Sequence, residues 1–90
     1  MAEIIFTEPY IKIEDKFLKK HPNIAGQYGK AIKLLGINPY HPSLRLHKLS
    51  GKLSDLYSVS INITYRLSID FVIQEDKIIP VSIGTHDEVY

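Results

Sequence analysis

The 90-residue chain has no cysteine and no tryptophan, so it can form neither a disulfide framework nor a thiolate zinc site. No apolar run approaches the roughly 20 residues that a membrane-spanning helix needs, which excludes such a helix. The chain starts with an acid, Glu3, where a secretory signal would carry lysine or arginine, so we predict a cytosolic protein. The composition, 44% hydrophobic and 23% charged, is that of a single globular domain over residues 1–90.

The spacing typical of metal ligands is absent as well. No two of the four histidines lie four positions apart, as paired zinc ligands on a helix do. The histidines are His21, His41, His47 and His86. We therefore predict a protein without a metal and without a cofactor.

Acidic residues are missing from the middle of the chain. Residues 16–54 hold eight lysines and arginines and no aspartate or glutamate, although the net charge of the whole chain is only +1. Such a block favours a surface that binds an anion, either a nucleic-acid backbone or an acidic protein. The alternative is that each lysine lies on a solvated helix face and binds nothing.

Two helices are predicted in the first half of the chain. The acid and proline at Glu8 and Pro9 are typical of a helix start, and apolar residues then recur at helical spacing. The pair His21 and Pro22 interrupts this pattern, because a proline ring clashes with the preceding turn. A second helix is expected to start at Pro22 and to stop at Gly36.

Short strands are predicted on both sides of these helices, where the apolar period is two or the run is short. They are expected at residues 4–6, 44–49, 57–63, 67–73 and 79–83. Pro80 has no amide donor, so the last strand needs an edge position, a bulge or an unpaired register there. The order of one strand, two helices and a strand meander predicts a two-layer α+β fold with both helices on one face of the sheet.

Three stretches of the sequence resemble one known family. Residues 46–51 read Leu-His-Lys-Leu-Ser-Gly, residues 65–67 read Tyr-Arg-Leu, and residues 83–90 read Ile-Gly-Thr-His-Asp-Glu-Val-Tyr. Together they resemble the RelE/ParE superfamily, the toxins of bacterial type II toxin–antitoxin modules, and the ending is most similar to the YafQ branch. Membership implies a sheet packed on two helices and a cognate antitoxin as partner. It also implies either cleavage of messenger RNA on the ribosome or, as in ParE members, non-enzymatic poisoning of DNA gyrase.

The resemblance further implies a metal-free catalytic set. His86 matches the histidine of the YafQ-like ending and is assigned as the general acid, and His47 is the candidate base or phosphate-positioning group. Arg66 would stabilise the charge that develops on phosphorus, because its guanidinium matches phosphate oxygens. Tyr90 would stack on the substrate or orient it. The residues expected to bind flanking phosphates are Arg45, Lys48 and Lys52.

Structural roles for the same side chains stay open at this point. Arg66 could instead pair with Asp55 or Asp70. A histidine at a strand edge or near a chain end could make only a local hydrogen bond, and a terminal tyrosine could simply cap the core.

The sequence departs from the family on one strand. Where RelE carries lysines, this chain has small polar residues, namely Ser58, Ser60 and Asn62. The weaker positive charge puts RelE-like efficiency in doubt. The alternative function is therefore a ParE-like inhibitor, or an inactive plasmid-stabilisation protein that only binds its antitoxin or target.

Overall fold

The computed structural model describes residues 2–51 and 55–85, which form two α-helices and a five-stranded mixed sheet. The elements are β1 (Glu3–Ile4), α1 (Glu8–Lys20), α2 (Ala25–Ile37), β2 (His47–Lys48), β3 (Tyr57–Ser60), β4 (Tyr65–Val72) and β5 (Lys77–Thr85). The strand order is β1-β5-β4-β3-β2, with β1 parallel to β5 and every other pair antiparallel. The predicted α+β fold with a strand meander is therefore confirmed.

Helix α1 follows the prediction. Thr7 is its N-cap, and the Thr7 hydroxyl accepts a hydrogen bond from the Tyr10 amide at 3.3 Å. Pro9 occupies the first turn, where its missing amide costs nothing, and the helix ends at Lys20 ahead of Pro22. Each of the two helices has 13 residues, and no helix within the described ranges is long and apolar enough to cross a membrane.

Helix α2 differs from the prediction at both ends. Residues Pro22–Ile24 form a 3-10 turn, and the α-helix begins only at Ala25. Gly36 does not stop the helix, which continues to Ile37. The Gly36 carbonyl accepts a hydrogen bond from the Ala2 amide at 3.0 Å. The residue expected to end the helix is therefore the point where the start of the chain contacts it.

The two edge strands are shorter than predicted. The first strand covers residues 3–4 instead of 4–6. The strand expected over residues 44–49 is reduced to β2, because Pro42–Leu44 forms a 3-10 turn and Arg45 then adopts left-handed backbone angles (φ 49°, ψ 46°). A residue in that conformation cannot continue an extended strand.

The strand expected over residues 57–63 ends at Ser60. Beyond it, the Asn62 side-chain oxygen Oδ1 accepts hydrogen bonds from the amides of Thr64 and Tyr65, at 2.9 and 2.7 Å. Asparagine often closes turns in this way, because its side chain replaces a backbone acceptor. Ile63, which the alternation assigned to the core, is consequently 95% exposed.

A bulge interrupts the pairing of β5 with β4. Ile69 is opposite Pro80, but the preceding residue Ser68 is opposite Ser82, so Val81 is an extra residue in β5. A bulge is one of the three arrangements predicted for Pro80, which has no amide donor for the ladder.

The bulge also changes which residues of β5 face the helices. Ahead of it, the buried residues are Ile78 and Pro80, and not Ile79 and Val81 as the alternation predicted. Beyond it, Ile83 packs against the core as expected. One inserted residue thus shifts the phase of the strand.

One apolar cluster joins both helices to the sheet. Its members are Tyr10, Phe17, Ile24, Tyr28, Ala31, Leu35, Leu44, Val59, Ile61, Leu67, Ile69, Phe71 and Ile78. Successive side chains of a strand point to opposite faces, so the alternate residues lie on the side away from the helices. We call this side the polar face, and it carries His47, Ser58, Ser60, Arg66, Ser68, Asp70, Ser82 and Gly84.

Candidate active site

Arg66 lies on the middle strand of the sheet, one residue from the start of that strand, on the polar face. It belongs to β4 and stands between Ser60 of β3 and Gly84 of β5. The next residue, Leu67, is completely buried in the core, so Arg66 points away from the helices. Because Gly84 has no side chain, this row of the sheet presents the Arg66 side chain beside a single small neighbour, Ser60.

The Arg66 side chain forms no ion pair with any residue that the structure describes. Neither Asp55 nor Asp70, both of which are described, pairs with it, so that structural alternative is wrong. The Arg66 Nε is buried and has no hydrogen-bond partner within residues 2–51 and 55–85. An unpaired buried donor costs about 1–3 kcal/mol of stability, and more for a charged group. Such an atom calls for an explanation, and a ligand that supplies acceptor oxygens is one.

His47 lies on the edge strand β2, directly opposite Ser58, and therefore on the polar face as well. The His47 Nδ1 is 3.0 Å from the backbone carbonyl oxygen of Arg45. A carbonyl only accepts, so Nδ1 carries the proton, and Nε2 is the basic nitrogen of the neutral ring. The left-handed turn at Arg45 thus supplies the tautomer that a general base requires.

The sheet brings Arg66 and His47 together from distant parts of the chain. They are two strands apart and offset by one step of two residues, since Ser58 faces His47 and Ser60 faces Arg66. Ideal strand spacings then give a Cα separation of about 12 Å. Two long side chains at that distance can both reach one ribose and its phosphate.

The other predicted site residues are placed as follows. Arg45 is exposed next to His47 in the chain. Lys48 is opposite Tyr57, which packs on the core, so Lys48 lies on the helix side of the edge strand and not on the polar face. The remaining three predicted residues lie outside the described part of the chain: Lys52, His86 and Tyr90.

Sequence analysis missed a row of serines beside Arg66. Ser58, Ser68 and Ser82 are in register on three neighbouring strands, and the Ser68 and Ser82 hydroxyl oxygens are 2.6 Å apart. Ser58 is fully buried, and its hydroxyl has no partner among the described residues. Serines at the polar positions of alternating strands were the available signal. In the described part of the chain, the Ser58 hydroxyl and the Arg66 Nε are therefore two buried polar groups of the polar face without partners.

The other two described histidines serve local contacts. The His41 Nδ1 is 2.8 Å from the Ser43 hydroxyl, and the His21 ring packs between Phe17 and Tyr65. Within residues 2–51 and 55–85, no three histidine, aspartate or glutamate side chains are grouped as metal ligands would be.

The clearly shifted pKa values of the described residues belong to two tyrosines far from the polar face. The Tyr10 and Tyr28 hydroxyls are 2.6 Å apart, and Tyr28 donates to the Glu14 carboxylate at 2.5 Å. Burial is the main cause that raises the pKa of each phenol, and the negative charge of Glu14 raises both further. Since the proton of Tyr28 is directed to Glu14, Tyr10 is the donor to Tyr28. This chain of hydrogen bonds fastens α1 to α2.

Comparison with known proteins finds this fold in solved structures. No family model matches the chain, and no curated protein matches its sequence. YafQ from E. coli strain BL21(DE3) matches with a TM-score of 0.77 and 14% identity, over 100% of this chain and 99% of that one. A chain of the E. coli DinJ–YafQ toxin–antitoxin complex matches with a TM-score of 0.75 and 16% identity, over 99% and 97%.

A third match comes from another toxin branch. A chain of the YoeB–YefM complex from Staphylococcus aureus gives a TM-score of 0.70 and 20% identity, over 96% of this chain and 98% of that one. All three matches span nearly the whole of both chains. The protein therefore has the fold of the RelE/YafQ-like toxins, as the sequence resemblance implied.

Proposed function

We propose that this protein is the toxin of a type II toxin–antitoxin module and that it cuts messenger RNA on the ribosome. The observation that carries the proposal is Arg66. Its buried Nε lacks a partner among the described residues and lies on the same sheet face as His47, in a fold shared with toxins along the whole chain.

The proposed reaction is an attack of the ribose 2′-oxygen on the neighbouring phosphorus. His47 Nε2 takes the proton of the 2′-hydroxyl as the new O–P bond forms. Arg66 binds the phosphate oxygens and stabilises the negative charge that grows on them. His86 gives a proton to the 5′-oxygen as its bond to phosphorus breaks, which leaves a 2′,3′-cyclic phosphate and a 5′-hydroxyl.

The remaining predicted residues position the RNA in this proposal. Tyr90 stacks on a base or orients it, while Arg45 and Lys52 bind the flanking phosphates. Lys48 lies on the helix side of the edge strand, so it reaches only a phosphate that passes around that edge. None of these steps uses a metal ion or a cofactor.

The proposed partner is an acidic or amphipathic antitoxin that covers the basic residues of the acid-free stretch. The choice of an antitoxin is supported by the DinJ–YafQ structure, which is a toxin–antitoxin complex by its name, and by the YoeB–YefM structure, which is a complex as well. Ion pairs at such a surface are screened by salt. Binding should therefore weaken when salt rises from about 0.05 to about 0.5 M, and an unchanged affinity would contradict the charge pairing.

The test is a translation assay in which new RNA 5′ ends are mapped. The parent protein should create 5′-hydroxyl ends in translated messages, and Arg66→Ala and His86→Ala should each lower the yield by at least about 100-fold. His41→Ala is the matched control, since His41 bonds only locally to Ser43, and it should cleave like the parent. Equal cleavage by the parent and by Arg66→Ala would remove the role assigned to Arg66.

A second candidate function is a non-enzymatic inhibitor that binds its target. One observation favours it, namely that the side chains replacing the RelE lysines have structural roles or lie buried. The Ser60 hydroxyl donates to the Asn62 carbonyl at 2.8 Å, and Ser58 is fully buried, so neither adds positive charge. Growth arrest with intact messages and blocked DNA supercoiling would select this function instead.

A further inference from the structure

A groove outside the polar face runs between the second half of α1 and the ends of β4 and β5. Its volume is about 530 Å³. The residues that line it are Ile13, Lys16, Phe17, Lys20, His21, Tyr65, Ile83, Gly84 and Thr85. We call it the lysine groove. Among the described residues that line it are two lysines and no acidic residue.

The two lysines are positioned to bind an anion. Lys16 and Lys20 are four residues apart on α1, so they project side by side from one face of the helix. Both are exposed, and neither forms an ion pair with another described residue. Lys19 on the same helix differs, because it pairs with Asp15 at 2.9 Å. The groove therefore keeps two positive charges that the described part of the fold leaves uncompensated.

The wall behind the lysines is aromatic. The rings of Phe17, His21 and Tyr65 pack on one another with centroid separations of 4.8 to 5.2 Å. His21 and Tyr65 are only partly buried, so part of this wall is accessible from the groove. Aromatic rings beside cations are the combination that holds single-stranded nucleic acid, with bases on the rings and phosphates on the cations.

The groove is continuous with the candidate active site. Gly84 lines the groove and is also the strand partner of Arg66. Arg66 faces away from the helices, whereas Tyr65 and Ile83 line the groove on the helix side, so a polymer bound at Arg66 enters the groove by turning around the end of β4 and β5. This continuity favours an RNA strand over an acidic peptide, because the peptide has no reason to extend from Arg66.

We propose that the lysine groove binds the nucleotides next to the scissile step of a single-stranded RNA. Lys16 and Lys20 contact consecutive phosphates, and Tyr65 and His21 contact a base. The inference rests on the proposed RNA cleavage, because that cleavage identifies the polymer that reaches Arg66.

The test measures binding without cleavage. The probe is a 2′-O-methyl RNA of about eight nucleotides, which cannot be cut because its 2′-oxygen carries a methyl group. Lys16→Ala/Lys20→Ala should weaken binding roughly tenfold and flatten the dependence of log affinity on log salt by about 1.4, or about 0.7 for each lost phosphate contact. The matched control is Lys12→Ala/Lys19→Ala, which removes the same charge from the same helix outside the groove. It should change affinity less than about twofold.

The outcomes separate this inference from the proposed function. Equal losses of RNA affinity in the two double variants overturn the proposed RNA binding in the groove, even if the parent cleaves RNA. A loss of affinity in the groove variant alone supports RNA binding in the groove. If the parent then shows no cleavage, only the proposed cleavage is contradicted. Inorganic polyphosphate and a glutamate peptide serve as competitors. If either competitor displaces the RNA at equal charge, the proposed contact of a base with Tyr65 and His21 is overturned.

Discussion

On the helix side of the sheet, the polar groups of the buried tyrosine pair satisfy one another, since Tyr10 donates to Tyr28 and Tyr28 donates to Glu14. On the polar face, the Ser58 hydroxyl and the Arg66 Nε are buried without partners among the described residues. An unpaired buried donor lowers stability, and a paired one does not. The helix side is thus arranged for stability, and the polar face retains groups whose partner the fold does not supply. The raised pKa values of Tyr10 and Tyr28 belong to the first region.

The sharpest test of this division uses two adjacent residues of β4. Leu67→Ala should lower the free energy of unfolding by about 2–5 kcal/mol, because Leu67 is fully buried on the helix side. Arg66→Ala should not lower it and should raise it by up to about 1–3 kcal/mol, because it removes an unpaired buried donor and breaks no ion pair with a described residue. Urea unfolding measures both. A larger loss for Arg66→Ala than for Leu67→Ala would break the division.

The tyrosine pair gives the next largest effect. Tyr28→Phe should cost about 1–3 kcal/mol, because it leaves the buried Tyr10 hydroxyl without an acceptor. Tyr10→Phe should cost less, because Tyr28 still donates to Glu14. Tyr40→Phe is the exposed control and should stay within about 0.5 kcal/mol. Thermal or urea unfolding would reveal a reversed order of the first two variants, which would contradict the assigned direction of donation.

Alkaline pH should weaken the helix side selectively. In the unfolded chain both tyrosines ionise near pH 10, whereas burial raises the pKa of Tyr10 and of Tyr28 in the native state. The unfolded state therefore loses its protons first, and stability falls above about pH 10 by up to about 1.4 kcal/mol per pH unit for each tyrosine. Below that pH the contribution is fully present. Urea unfolding between about pH 8 and about pH 11 should show the fall, and Tyr28→Phe should show a shallower one; parallel curves would argue against the burial effect.

The smallest effect concerns the turn that holds His47. Arg45→Gly should raise stability by about 0.4–1 kcal/mol, because glycine adopts the left-handed conformation without strain. Arg45→Val should lower it, since a branched side chain is strained there. Thermal unfolding ranks the three proteins, and a less stable glycine variant would mean that the Arg45 side chain contributes more than its backbone strain costs.

Local sequence signals predicted the parts of the fold that local interactions determine. The start of α1 follows from Glu8 and Pro9 and its end from Pro22, and both were predicted correctly. The end of β3 was not, because the Asn62 side chain closes a turn inside an alternating pattern. The phase of β5 was not either, because a bulge has no signature in alternation beyond the proline that permits it.

The candidate site shows the same limit. Alternation along the edge strand separates Lys48 from His47, and this could have been predicted from their adjacency. The partnerless Arg66 Nε and the lysine groove could not, since both depend on elements far apart in the chain. The tautomer of His47 likewise depends on a left-handed backbone conformation at a residue, Arg45, that rarely adopts it.

The extra residue Val81 sets the parity of everything that follows it in β5. If Val81 instead paired with Ser68 in a regular ladder, the rest of the strand would be rotated by half a turn, and Val81 and Ile83 would replace Ser82 and Gly84 on the polar face. Val81 would then stand in the hydroxyl row at the place of Ser82, and Ile83 would stand beside Arg66 at the place of Gly84. A single insertion in the middle of one strand thus determines the chemical character of the surface that adjoins the guanidinium.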